Sequence, residues 1–330
     1  MGVQASARDP AAGGEPRVIT VPTPFPVGPV NVLVLPGEPL AIVDAGPHSP
    51  EAQAALTAGL RKLGRRPEEI ARVVITHAHA DHYGLASWIV GRSGAEVIAH
   101  PLTHAWGDDD NQGELKQFML RTMRAGGVPD ALIEGMRSIY EHLDGFAEPL
   151  PVDREVNDGD ELQLGGSRWT VLHTPGHASG HICLWSAEQG VLLSGDHLIG
   201  HISSNAMIEP VAPGDPRPGR SLPAYLESLR RTAGLGVRVA YPGHGDVVRK
   251  LGQLIDDRLR HHDDRKLRLA EFLGGGPATA YELSARLFPR LHPSQVFLAI
   301  SEVLGHLQLL EEEGSLAEEW DGPVRKYFLK

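Results

Sequence analysis

Residues 77–82 read His-Ala-His-Ala-Asp-His, and they follow an apolar run at 70–76 that predicts a buried strand. Four of these six side chains offer imidazole nitrogen or carboxylate oxygen, the donors that zinc and its neighbours prefer. Loops at strand ends are also where a rigid scaffold usually carries its functional groups. The candidate metal ligands in this segment are His77, His79, Asp81 and His82.

A second set of candidate ligands follows three later β-type runs. If residues 77–82 form an irregular loop, alternate side chains can face one metal while the adjacent Asp and His face another, but one loop cannot enclose both. The missing groups stand in glycine-rich turns, Thr-Pro-Gly-His at 174–177, Ser-Gly-Asp at 194–196 and Tyr-Pro-Gly-His-Gly at 241–245. Glycine permits tight turns that aim the neighbouring side chain outward. The further candidate ligands are His177, Asp196 and His244.

Short β-type runs and helical patterns surround these turns in two similar halves. The first half has β-type runs between 17 and 44, and then a helical pattern at 50–63. The second half has β-type runs between 161 and 194, and then a helical pattern at 221–233. Two sheet-forming halves with outer helices predict an α/β (α+β) fold, a four-layer sandwich of helix, sheet, sheet and helix.

The segment 108–146 interrupts this pattern. Its apolar residues have helical spacing, which predicts two amphipathic helices inserted into the main domain. Two interpretations stay open, a packed helical excursion and a cap that lines an apolar substrate pocket. The apolar positions behind both interpretations include Leu115, Phe118, Met119, Met123, Ile133 and Met136.

The C-terminal part differs in character from the rest. Residues 251–270 predict a charged linking helix, and 279–330 show the order helix, turn, helix and hairpin that is typical of a small winged helix-turn-helix. Segment 272–330 holds five Lys and Arg against eight Asp and Glu, too few cations for neutralising phosphates. We therefore predict a catalytic domain at 17–250 and a winged-helix-like domain within 251–330 that serves packing or dimerisation.

Composition narrows the class of protein. The chain of 330 residues has a formal charge of −11, which disfavours nucleic acid as a partner, although a local basic patch could still bind it. Its single cysteine, Cys183, excludes an internal disulfide. Residues 1–16 lack the apolar stretch of a signal peptide, and no run approaches the roughly 20 apolar residues that span a bilayer. We predict a flexible N-terminus at 1–16, a cytoplasmic location, no membrane contact and a small-molecule substrate, with a homo-oligomer left open.

The order and form of these motifs resemble the metallo-β-lactamase fold superfamily, with its His-x-His-x-Asp-His loop, over about residues 17–250. The overall plan is similar to the β-lactamase-like group with a C-terminal winged helix. Asp196 and His82 depart from the true zinc β-lactamases, so the resemblance does not imply a lactamase. Carried over residue by residue, it implies a first metal on His77, His79 and His177, a second on Asp81, His82 and His244, and Asp196 as a bridge.

Such a site implies hydrolysis. Two divalent cations, zinc being favoured and iron or manganese also compatible, would lower the pKa of a bridging water to near neutrality, and Asp81 would hold that water in line. Our leading hypothesis is hydrolysis of an acyl ester, thioester or lactone in the apolar cleft beneath 108–146. The alternatives are an endoribonuclease and a non-catalytic metal-bearing interaction protein. The endoribonuclease hypothesis predicts a basic track from residues such as Arg217, Arg220 and Arg249. Further histidines with open roles are His181, His197 and His201.

Overall fold

The computed structural model describes residues 14–136, 145–150 and 152–330. Most of the predicted flexible N-terminus, residues 1–13, lies outside the described residues. So does the part of the predicted insertion at 137–144.

The first sheet is mixed, and its order follows the chain. Its strands are β1 Arg17–Val21, β2 Val30–Leu35, β3 Ala41–Val43, β4 Arg72–Val74, β5 Glu96–Ala99 and β6 Arg154–Glu155. Pairing is antiparallel from β1 to β3 and parallel from β3 to β6. Every side chain of β2 is buried, as expected for a near-continuous apolar strand covered on both faces. The predicted strand at 70–76 is regular only over the three residues of β4.

The second sheet has the order β11-β10-β9-β8-β7. Its strands are β7 Glu161–Leu164, β8 Ser167–His173, β9 Ile182–Ser186, β10 Val191–Gly195 and β11 Val239–Pro242. Within this sheet the β10–β11 pair is parallel, and the other three pairs are antiparallel. The two sheets face each other across one apolar cluster, in which Leu33 and Val74 of the first sheet join Trp169 and Leu184 of the second.

Helices cover both outer faces. The helices whose two ends both lie in the described residues are α1 Pro50–Lys62, α2 Ala80–Tyr83, α3 Ala86–Ser93, α4 Pro101–Trp106, α5 Asp109–Ala125, α6 Ser221–Ala233, α7 Leu251–Leu273, α8 Ala280–Leu287 and α9 Val296–Glu312. Residues 130–136 of the inserted segment are helical as well. Short 3-10 turns occupy Pro67–Glu69 and Pro293–Gln295. Leu56 of α1 and Ile89 of α3 pack on the first sheet, and Leu229 of α6 and Ile255 of α7 pack on the second. The four-layer order predicted from the sequence is therefore confirmed.

The C-terminal segment adds a small sheet to two of these helices. Strands β12 Ala278–Thr279, β13 Leu316–Asp321 and β14 Val324–Leu329 pair in the order β12-β14-β13, with α8 and α9 between β12 and β13 in the chain. The predicted linking helix is α7, which extends to Leu273. The description of this segment as a winged helix, and the domain boundaries around it, stay predictions.

The inserted segment packs against this C-terminal part. Met123, Ile133 and Met136 share a buried cluster with Leu283 of α8 and Ile300 of α9. The apolar side of the insertion is thus largely occupied by packing. Among the described helices, none is both long and apolar enough to cross a bilayer.

Candidate metal centre

Four loops meet beyond the carboxyl ends of strands β4, β8, β10 and β11. They bring all seven predicted ligands together, because each loop leaves one of the two packed sheets at the same edge of the sandwich. Within each of three groups the ligand atoms lie within 4.8 Å of one another. The first group is His77, His79 and His177, and the second group is Asp81, His82 and His244. A third set, His77, His82 and Asp196, links these two groups.

The segment 77–82 is only half irregular. His79 has extended backbone and stands at the N-cap of α2, so Asp81 and His82 lie in a helical turn. The expectation of an irregular loop was therefore wrong for its second half. The helical turn brings Asp81 and His82 together with His244, while the ring of His82 also stays 4.1 Å from that of His77.

The first group consists of imidazoles alone. The Nδ1 atom of His79 lies 2.9 Å from Nε2 of His77 and 3.0 Å from Nε2 of His177. Burial, reinforced by neighbouring rings, lowers the pKa of His77 well below its ordinary value and that of His79 to about 3. Burial also lowers the pKa of His177. Neutral rings offer the nitrogen lone pairs that metal binding requires.

The second group mixes imidazole with carboxylate. The Nε2 atom of His244 lies 3.3 Å from Oδ2 of Asp81, and Nε2 of His82 lies 3.9 Å from the same oxygen. Burial opposes protonation of His82, but the carboxylates around it, first that of Asp196, outweigh burial and raise its pKa well above the ordinary value. Burial is likewise outweighed at His244, whose pKa is raised by Asp81 and Asp196. This group therefore attracts positive charge.

Asp196 lies between the two groups. Its Oδ1 atom is 3.5 Å from Nε2 of His82, and its Oδ2 atom is 3.6 Å from Nε2 of both His177 and His244. The carboxyl is buried, which opposes its ionisation, yet the surrounding histidines, first His82, lower its pKa. Its position fits a ligand shared by two ions.

Unpartnered buried atoms test whether the residues fit a metal. In the described part of the chain, Nε2 of His82, Nε2 of His244 and Oδ1 of Asp196 are buried without a hydrogen-bond partner. Such orphaned polar atoms are costly and rare in folded proteins. Because they converge, a bound cation would satisfy them all. The histidine and aspartate clusters are suited to binding metal ions.

A glycine permits this close convergence. A Cβ atom on residue 243 would lie 2.3 Å from Oδ1 of Asp196 and 2.8 Å from Cε1 of His82. Backbone here approaches the site more closely than any side chain would allow. The glycine of Tyr-Pro-Gly-His-Gly thus has a steric role that the sequence alone did not identify.

Asp44 supports the site from behind, and sequence analysis missed it. Its carboxylate accepts hydrogen bonds from the backbone N–H of Thr76 at 2.9 Å and the Thr76 hydroxyl at 3.0 Å, and it lies 2.8 Å from Nδ1 of His82. The Thr76 hydroxyl in turn lies 2.9 Å from Nδ1 of His77. Asp44 has a φ of 62°, unusual outside glycine. The available signal was an aspartate directly after the buried run Ala41–Val43.

Backbone carbonyls hold two other rings. Nδ1 of His177 lies 2.8 Å from the carbonyl oxygen of Asn205, and Nδ1 of His244 lies 2.8 Å from that of Pro29. A carbonyl can only accept, so each Nδ1 carries the proton and each Nε2 faces the site as a lone-pair donor. This arrangement is typical of metal-binding histidines.

The three histidines with open roles lie in different surroundings. Nε2 of His181 accepts the backbone N–H of Asp196 at 3.1 Å, so His181 supports a central carboxylate. His197 is buried, and its Nε2 lies 3.0 Å from the hydroxyl of Thr232, away from the predicted ligands. His201 is exposed.

A cleft of about 220 Å³ opens beside His79. Its apolar wall comes from Phe25, Tyr83, Trp106, Leu115 and Met207, with Leu115 supplied by the inserted helix α5. Met123 and Met136 do not belong to this wall, because they are buried against the C-terminal helices. The insertion therefore combines the two interpretations, a packed excursion over most of its apolar residues and a cleft wall at its N-terminal part.

Comparisons with known proteins agree with this geometry. The family model described as metallo-beta-lactamase superfamily matches residues 25–244, a range that includes all seven predicted ligands. The probable metallo-hydrolase YqjP of Bacillus subtilis (strain 168) is 34% identical over 313 residues, 92% of this chain and 94% of that protein. An atrochrysone carboxyl ACP thioesterase of Aspergillus chevalieri is 27% identical over 265 residues, 74% of this chain and 75% of its own.

A solved structure extends the similarity to the C-terminal part. The crystal structure of metallo-beta-lactamase family protein TTHA1429 from Thermus thermophilus matches with a TM-score of 0.82 at 32% identity. The match covers 96% of this chain and 98% of that chain. The fold described above thus has a relative over nearly its whole length.

Proposed function

Because this chain belongs to the metallo-β-lactamase superfamily as a metallo-hydrolase, we propose that it hydrolyses an acyl ester, thioester or lactone. The observation that carries the proposal is the cleft beside His79, whose apolar wall can hold an acyl group next to the predicted ligands. Polar side chains, among them Gln112 and Glu209, line the rest of the cleft. Thioesters are the first class to test, since one relative is named as a thioesterase.

The proposed cofactors are two divalent cations, zinc in the first place, with iron or manganese as alternatives. The fit rests on the convergent imidazoles and carboxylates and on their unpartnered buried atoms. The first cation would be held by His77, His79 and His177, the second by Asp81, His82 and His244, and both by Asp196. When bound, such a pair supplies a hydroxide nucleophile near neutral pH and polarises the carbonyl under attack.

The protein's own groups would orient the reaction. Asp81 is our proposed catalytic residue, because a carboxylate oxygen beside the cations can accept a hydrogen bond from the attacking water and hold it in line. His82 and His77 are fixed by Asp44 and Thr76, so the donors are pre-aligned before substrate binds. The apolar wall at Trp106 excludes water from the acyl side of the cleft.

The endoribonuclease alternative finds less support. It requires free cations beside the site, and two of the three arginines on which it depends are in ion pairs. Arg217 lies 2.6 Å from a carboxylate oxygen of Asp215, and Arg220 is paired with Glu312. The paired carboxylates offset part of the positive charge that would attract a phosphate backbone.

A substrate panel tests the proposal. Protein loaded with zinc or manganese should release thiol from short-chain acyl thioesters or open simple esters and lactones, and it should leave single-stranded RNA intact. Replacing Asp81 with Ala should abolish turnover with only limited unfolding. His104→Ala is the control, because His104 is partly exposed, pairs with Glu155 at 2.9 Å and does not line the cleft. RNA cleavage without turnover of any acyl compound would reject the proposal.

A further inference from the structure

The segment 199–208, here called the anchor loop, contacts one of the predicted ligands directly. Nδ1 of His177 lies 2.8 Å from the Asn205 carbonyl oxygen and 3.0 Å from the Ser204 hydroxyl. The orientation of the His177 ring therefore depends on where this loop is held. The loop forms no helix or strand, so its position depends on contacts with other segments of the chain.

Helix α7 holds the first part of the anchor loop. The Nη2 group of Arg258 donates to the carbonyl oxygens of Ile199 and Gly200, both at 3.1 Å, and of Ile202 at 2.7 Å. One guanidinium thus satisfies three backbone carbonyls that a loop would otherwise leave to water.

Helix α9 of the C-terminal part holds the rest. The side-chain amide of Asn205 donates to the backbone carbonyl of Leu298 at 3.0 Å and to Oε2 of Glu302 at 3.3 Å. The backbone N–H of Ile208 donates to the hydroxyl of Ser301 at 3.3 Å. Residue 205 therefore contacts His177 through its backbone and α9 through its side chain.

The acceptor on α9 is itself fixed. Glu302 is 5% exposed, and its Oε1 atom lies 2.5 Å from Nη1 of Arg265. His262 and His306 lie beside it, with Nδ1 of His262 3.3 Å from Nε2 of His306. These three side chains could form a metal site by composition, but the guanidinium already balances the carboxylate. We interpret the cluster as a rigid support, which limits movement of Asn205.

We propose that the C-terminal part of the chain positions the metal centre, with Asn205 as a positioning residue that transmits the location of helix α9 to the ring of His177. The inference rests on the proposed function in one respect, the role of His177 as a ligand. Under this proposal the C-terminal segment supports hydrolysis by positioning His177, without binding nucleic acid or a second chain.

Metal affinity of the full-length protein is the test. Asn205→Ala keeps the carbonyl that faces His177 but removes both contacts with α9. We expect zinc to bind the first group about tenfold more weakly, the lower end of the range for losing an outer partner, because the carbonyl remains but is no longer held in place. Binding to the second group should be unchanged. Competition with a chromophoric chelator measures both affinities, and the visible spectrum of the Co²⁺-loaded protein reports the geometry around His177.

Gln308→Ala is the matched control. Gln308 lies on the same helix, and its side-chain amide donates to a backbone carbonyl, that of Gly219, at 2.9 Å. Both variants lose a side-chain amide bond to a main-chain oxygen, so a similar fall in Tm is expected, whereas only Asn205→Ala should weaken the first group. Ser301→Ala removes a separate anchor and should lower the same affinity severalfold, which keeps the test decisive if Asn205→Ala fails to fold.

The outcomes separate the inference from the proposed function. Unchanged zinc binding by His177→Ala would overturn the ligand assignment itself. If His177→Ala loses the first metal while Asn205→Ala and Ser301→Ala behave like Gln308→Ala, the ligand stands and the positioning role is overturned.

Discussion

The two halves of the proposed metal centre are built differently. His77, His79 and His177 form a group of neutral rings, whose pKa values are lowered first by burial. The half that contains His82 and His244 also has carboxylates, which raise the pKa of both rings against the effect of burial. The first half offers three neutral rings and shares the Asp196 carboxylate, whereas the second half adds a carboxylate of its own, Asp81.

Because of this difference, the two halves should lose metal affinity in response to different mutations. A cation in the carboxylate-bearing half is held partly by Coulomb attraction, which falls slowly with distance and tolerates small displacements. A cation among neutral rings depends on the direction of each lone pair, and so on the groups that fix the rings. Those groups are Thr76 behind His77 and the anchor loop behind His177.

Replacing Asp196 should weaken metal binding in both halves of the site. Asp196→Ala deletes the carboxylate that faces both halves, so we expect both of the proposed zinc ions to be lost at micromolar protein. Turnover should fall far more than the roughly 10–100-fold typical of an outer partner. Elemental analysis and turnover measure the two effects. Asp196→Asn keeps the shape without the charge and should retain more metal than Asp196→Ala. Full zinc content in Asp196→Ala would refute a shared ligand.

Asp44 should affect the halves unequally. Asp44→Asn weakens the direct contact with His82 and reaches His77 only through Thr76. We expect zinc affinity to fall roughly 100-fold in the second half and roughly tenfold in the first, within the range for outer carboxylates. Asp153→Asn is the control, because Asp153 also accepts a backbone N–H, that of Val97 at 2.9 Å, but lies away from the ligands. Equal losses of zinc affinity in both halves would contradict a direct effect on His82 and an indirect effect on His77 through Thr76.

Sequence patterns predicted which histidines and aspartates converge, because polar side chains at strand ends leave a local signature. All seven predicted ligands lie together, and the four-layer fold follows from strands and helices with clear apolar spacing. Asp44 and Asn205 were missed, since each acts through a contact between segments far apart in the chain. The turn of helix at Ala80–Tyr83 was also missed, because four residues are too few to show a period.

Thr76 gives the smallest and most selective effect. Thr76→Val preserves volume and β-branching but removes the hydroxyl that links Asp44 to Nδ1 of His77. Nδ1 then loses its partner and the ring gains freedom, so zinc affinity of the first half should fall by roughly tenfold while the second half changes little. Chelator competition measures both values.

Thr232→Val is the matched control, since Thr232 is equally buried and its hydroxyl contacts a histidine that is not a predicted ligand, His197, at 3.0 Å. Both variants lose a buried hydroxyl, so their losses of folding stability should be similar, about 1 kcal/mol. Only Thr76→Val should alter metal binding. If Thr76→Val instead weakened both halves alike, the two halves would be coupled more tightly than their separate supports imply, and the contrast between neutral and charged donors would lose its explanatory value.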